Sequence, residues 1–105
     1  MRKLVDMDAL TPGIARGFRA RGGTVILVRD GETVSAFRDS CPHLGVDLAW
    51  NPDAYMDLEN RYIQCATHGA LFEPLTGECV FGPCIGDRLT PVEVVLRDGS
   101  VWIDG

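Results

Sequence analysis

TVILVRDGETVSAF, residues 24–37, decides how the chain reads. Two runs rich in strand-forming residues flank Asp30-Gly31, and an Asp-Gly pair supplies the positive φ angles of a tight type I′ hairpin turn. The same pattern returns in PVEVVLRDGSVWI, residues 91–103, around Asp98-Gly99. Between these two hairpins, RYIQC (61–65) and ALFE (70–73) are further strand candidates, and EPLTG (73–77) and GPCIG (82–86) are rich in turn residues. Helical periodicity is weak. Residues 6–10 read as one short turn stopped by Thr11-Pro12-Gly13, and Pro52 interrupts any turn within 46–57. Many short strands punctuated by Gly and Pro predict an all-β fold, a small antiparallel sandwich or barrel.

The length of 105 residues suits one domain, spanning 1–105. Fifteen acidic against ten basic residues leave a formal charge of -5. That excludes non-specific nucleic-acid binding, which needs a basic face, and suits docking onto a basic patch of a protein partner. No apolar run approaches a membrane span. MRKLVDMDALTPG at the start has no apolar stretch and carries two early aspartates, so it does not read as a secretory signal. The expectation is a cytoplasmic monomer, in which four cysteines serve as metal ligands or thiols rather than disulfides.

The only two histidines stand beside cysteines, in CPHLG (41–45) and CATHG (65–69). Cys41, His43, Cys65 and His68 offer two thiolates and two imidazoles. Such a set satisfies one tetrahedral zinc ion. It equally satisfies a two-iron cluster whose irons take two cysteines and two histidines respectively. Ligand count does not decide between them. Context favours the cluster: a zinc finger pairs its cysteines and places its histidines on a helix, whereas each loop here carries one of each and no helix follows. Gly45 and Gly69 are expected to let backbone N–H groups turn toward sulfur.

With both boxes in view, the chain resembles the Rieske [2Fe-2S] proteins, whose signature is Cys-x-His-x-Gly followed by Cys-x-x-His-Gly. TGECVFGPC (76–84) resembles the strand and proline-containing loop that cover the cluster in that family. The resemblance runs over about residues 24–103, with the cluster-binding part at about 38–86. It implies one [2Fe-2S] cluster, with Cys41 and Cys65 on one iron and His43 and His68 on the other. Leu44 and Pro83 are then expected to pack nearby and limit water access. The gap between boxes exceeds the family's common short form, and Trp50 to Asp53 read as a surface excursion.

High-potential members carry an extra cysteine in each box, joined as a disulfide, and donate hydrogen bonds to the cluster from a serine and a tyrosine. Here those places hold Val46, Thr67, Ala70 and Phe72. Hydrogen bonds to cluster sulfur favour the reduced state, so their loss puts the expected potential at the low end of the range, about -150 mV. Rieske oxygenases add a domain with a two-His-one-carboxylate iron site. Both histidines here are already committed, so the expected role is a non-enzymatic electron carrier between a reductase and an oxygenase or other redox enzyme. Two other roles stand beside it: an accessory or redox-sensing subunit, and a zinc-stabilised interaction module. Cys79 and Cys84 read as small buried residues or free thiols near the cluster, with a redox-active pair or a disulfide between them as the alternative. Asp53, Asp57 and Glu59 read as a solvated acidic face, and Trp102 as a strand core residue.

Overall fold

The structure is a computed structural model that describes residues 2–20, 23–40, 55–57, 61–65 and 69–103. Its strands are β1 (Arg2–Asp6), β2 (Arg16–Ala20), β3 (Gly23–Asp30), β4 (Thr33–Arg38), β5 (Ile63–Gln64), β6 (Leu71–Phe72), β7 (Cys79–Phe81), β8 (Val94–Arg97) and β9 (Ser100–Ile103). They form three antiparallel sheets of three strands, ordered β1-β9-β8, β2-β3-β4 and β5-β6-β7. The one helical piece among the described residues is a 3-10 turn over Met7–Ala9, where a turn was expected. The all-β expectation holds.

The middle sheet explains why residues 25–28 read as a continuous apolar run rather than an alternating one. β3 is buried on both faces. Val25 and Leu27 join Leu10, Ala36, Val101 and Ile103 in one core, toward β9. Ile26 and Val28 join Phe37, Tyr55, Ile63, Cys65, Phe72, Cys79, Cys84 and Leu89 in a second core, toward the β5-β6-β7 sheet. Successive strand residues point to opposite faces, so a strand between two layers has no polar side. β4 repeats this with Ala36 in the first core and Phe37 in the second.

The two Asp-Gly turns differ. Arg97 pairs with Ser100, and Asp98 and Gly99 both have positive φ, at 54° and 72°, as a type I′ turn requires. In the first hairpin the pairing Asp30↔Thr33 makes Gly31 and Glu32 the turn residues, one position later than expected. Only Gly31 has positive φ there, the pattern of a type II′ turn, which places glycine first.

Trp102 is not a core residue. Val101 and Ile103 take the buried face of β9, so Trp102 falls on the other side, part-exposed. The Arg97 guanidinium lies 5.1 Å from its ring centroid, and its indole N–H donates to the Arg97 carbonyl. β1 and β2 lie in a stretch for which the sequence predicted no strands.

Candidate metal centre

β5 and β6 make a short hairpin whose pairs are Ile63↔Phe72 and Gln64↔Leu71. The ladder continues one step, because the Cys65 N–H donates to the Ala70 carbonyl at 2.9 Å. The Gly69 N–H then donates back to the Cys65 carbonyl at 2.8 Å. Gly69 reaches that bond with φ of 69°, a left-handed geometry that glycine adopts without a Cβ clash.

Cys65 is fully buried, among Ile63, Ala70, Phe72, Cys79 and Cys84. The loop it opens carries His68, and β4 ends shortly before Cys41 and His43. Those three residues, with Leu44, Gly45 and the stretch from Trp50 to Asp53, lie outside the described residues. Among the described residues no three Cys, His, Asp or Glu side chains gather into a metal-binding group.

The segments leading into the two boxes are tied together through Tyr55. Its hydroxyl donates to Asp39 Oδ2 at 2.6 Å, inside the core, and its carbonyl accepts the Gln64 N–H at 2.7 Å. Asp39 stands two residues before Cys41, and Gln64 one before Cys65. The Asp39 N–H also donates to the Thr24 carbonyl, anchoring the exit of β4 to the middle sheet. A buried carboxylate is costly unless hydrogen-bonded, so this link holds one geometry firmly. The sequence reading missed Asp39 and Tyr55. Their separation of sixteen residues gives no local signal.

β7 and the turn that follows cover the other side of the hairpin. Gly82 packs directly on Ala70: a Cβ at position 82 would stand 2.9 Å from Ala70 Cα. Pro83 is exposed, while Cys84 behind it is buried. Phe81 and Ile85 flank the turn with 60% and 67% of their surfaces exposed. Asp57, expected on a solvated acidic face, accepts the backbone N–H groups of Arg61 and Tyr62 through Oδ1 and so shapes the approach to β5. Asp53 and Glu59 lie outside the described residues.

The donor set fits an iron–sulfur group. Cys65 offers sulfur in a dry, apolar setting, and the sequence holds a second cysteine and two histidines close to it or to the end of β4.

Comparison with known proteins agrees. Residues 2–95 match the family model of the Rieske [2Fe-2S] domain. The ferredoxin of carbazole 1,9a-dioxygenase from Nocardioides aromaticivorans IC177 superposes with a TM-score of 0.74 at 27% identity, covering 97% of this chain and 96% of that one. A chain from the complex of reduced oxygenase and oxidised ferredoxin in carbazole 1,9a-dioxygenase gives 0.75 at 27% identity, covering 98% and 91%. The cyanobacterial plasma membrane Rieske protein of Synechocystis PCC 6803 gives 0.76 at 20% identity over the full length of both chains, a likeness of fold. No curated protein matches the sequence significantly.

Proposed function

This chain belongs to the Rieske [2Fe-2S] domain family and carries one [2Fe-2S] cluster, and we propose that it works as a ferredoxin-type electron carrier serving an oxygenase or a related redox enzyme. The observation that carries this reading is the near end-to-end match to a dioxygenase ferredoxin. When bound, the cluster supplies a one-electron couple.

The residues divide the work. Cys41 and Cys65 would hold one iron through thiolate sulfur, and His43 and His68 the other through ring nitrogen. Asp39, Tyr55 and Gln64 tie together the segments that precede Cys41 and Cys65. Ile63, Ala70 and Phe72 keep water from the Cys65 side. Residues 1–105 would then act as a single domain.

Val80, Phe81 and Ile85 are exposed apolar side chains on β7 and the turn that packs against Ala70. Exposed apolar side chains near the Cys65 hairpin support a protein redox partner. The dioxygenase complex among the structural relatives favours an oxygenase as that partner. No helix among the described residues is long and apolar enough to cross a membrane.

The test is an anaerobic redox titration of the purified protein. A carrier takes up one electron per chain and returns it through repeated cycles with its visible spectrum intact. A cluster that is destroyed or does not cycle would exclude the carrier role and leave a structural or sensing one.

A further inference from the structure

Cys79 and Cys84 stand outside the two Cys/His boxes, in the same core as Cys65. Their sulfur atoms lie 2.8 Å apart in the core. No third atom fits between them, and a movement of about 0.8 Å would bring them to the length of a covalent S–S bond. The backbone holds them there. The Cys79 N–H donates to the Asp87 carbonyl at 3.0 Å, and the Asp87 N–H donates to the Cys84 carbonyl at 2.8 Å, so residues 82–87 fold back onto the start of β7. Cys79 Sγ also lies 3.3 Å from the Phe81 carbonyl, to which its S–H can donate.

A buried thiol pair is inert only if nothing reaches it. Here a surface cavity of about 220 Å³, lined by Glu78, Cys79, Gly86, Asp87 and Arg88, opens on one partner. Cys79 keeps 7% of its surface exposed, and Cys84 keeps 1%. Cys79 is therefore the more accessible of the two residues, and Cys84 Sγ lies 2.8 Å from its sulfur.

We propose that Cys79 and Cys84 form a reversible dithiol–disulfide site, oxidised by a peroxide that enters through this cavity. The peroxide oxidises the Cys79 thiol to a sulfenic acid, and its O–O bond breaks with release of one water. The Cys84 thiol then displaces the hydroxyl as a second water and forms the Sγ–Sγ bond. Two thiols lose two electrons and two protons, and one peroxide gains both. A small dithiol reverses the bond by exchange. The bond fastens the 82–87 turn to β7, and Gly82 of that turn rests on Ala70 at the foot of the Cys65 loop.

The test uses the intact holoprotein. It is treated with hydrogen peroxide while the cluster absorbance is recorded, denatured with an alkylating reagent present, and cleaved after glutamate. Cleavage after Glu78 and Glu93 gives a peptide of residues 79–93 containing these two cysteines and neither boxed one. The expected result is a peptide lighter by two hydrogens that has lost both alkylation sites, before the cluster bleaches, with both sites restored by dithiothreitol. Full alkylation of both residues until the cluster is lost would overturn the proposal, as would a bond from either one to Cys41, Cys65 or a second chain. In Cys84→Ala, Cys79 should stop at the sulfenic acid and take up a sulfenic-specific dione that the native protein does not. Equal uptake by both proteins would also overturn it.

Discussion

Tyr55 and Asp39 show how far one hydrogen bond can organise a site. The bond is 2.6 Å long, buried, and joins two segments that lead separately to the two boxes. Tyr55→Phe removes the hydroxyl donor while keeping the ring in its packing. The expected cost is about 1–3 kcal/mol of stability, the range for leaving a buried hydrogen-bond partner unsatisfied. Denaturant unfolding of the holoprotein measures it, and cluster loss to a chelator should also quicken. A variant as stable as the parent would mean that the link contributes nothing net. Phe72 presents the opposite case. It is fully buried in the same core as Cys65, in the place where high-potential relatives carry a tyrosine. Phe72→Tyr adds a hydroxyl donor to the core that holds Cys65, so on the proposed ligand assignment the reduction potential should rise. An unchanged or lower potential in a correctly assembled variant would contradict this. The two Cys/His boxes stand out in the sequence because ligand chemistry calls for cysteine and histidine at short spacing, and the ligand roles of their residues belong to the proposal. The Asp39–Tyr55 bond and the Cys79–Cys84 contact do not stand out in it, since each depends on where the backbone turns.

At the scale of elements, β3 is the divider between two cores, and its neighbouring residues can be assigned to opposite sides. Leu27→Ala empties space in the core toward β9, and Ile26→Ala empties space in the core that contains Cys65. Each should cost about 2–5 kcal/mol. The two should separate in a second readout: Leu27→Ala leaves cluster retention in chelator unchanged below its unfolding transition, whereas Ile26→Ala hastens cluster loss. Equal retention in the two variants would mean that the cores are not mechanically separate. The same two-sided burial made β3 easy to find, as an unbroken apolar run ahead of a turn. β1 and β2 were missed for the reverse reason. Their residues are half-buried or exposed, so neither shows a clean alternation, and their partners β9 and β3 are fixed by the fold rather than by local pattern. Asp30-Gly31 located the first turn to within one residue, since glycine can serve either turn position and the pairing register chose the first.

Across the whole molecule, the N-terminal strand closes onto the C-terminal one, and Asp6 is the polar fastening between them. Ser100 Oγ donates to Asp6 Oδ1 at 2.7 Å, and Lys3 Nζ reaches the same oxygen at 3.1 Å. The Ser100 hydrogen bond first, then the Lys3 hydrogen bond and charge, hold the Asp6 carboxyl below its ordinary value of 3.8. A depressed carboxyl stabilises the fold above its unfolded value, and that contribution is lost as pH falls through the folded value. Asp6→Asn should therefore be less stable than the parent at neutral pH, and the difference should shrink as the pH is taken below 3.8. The effect is small, because the carboxylate is largely exposed and screened by salt. A difference that persists undiminished in acid would assign it to the hydrogen-bond geometry instead of the charge.

The same economy of composition that exposed the boxes also makes the central claim directly measurable. The chain has only two histidines, so labelling histidine with nitrogen-15 marks His43 and His68 and nothing else. Pulsed electron paramagnetic resonance on the dithionite-reduced protein then reads which nuclei are bonded to the cluster. Strong couplings from two labelled nitrogens are the predicted result, with Cys41 and Cys65 supplying the remaining ligands. A reduced cluster without strong nitrogen-15 coupling, or with one such nitrogen, would contradict the assignment of both histidines to iron.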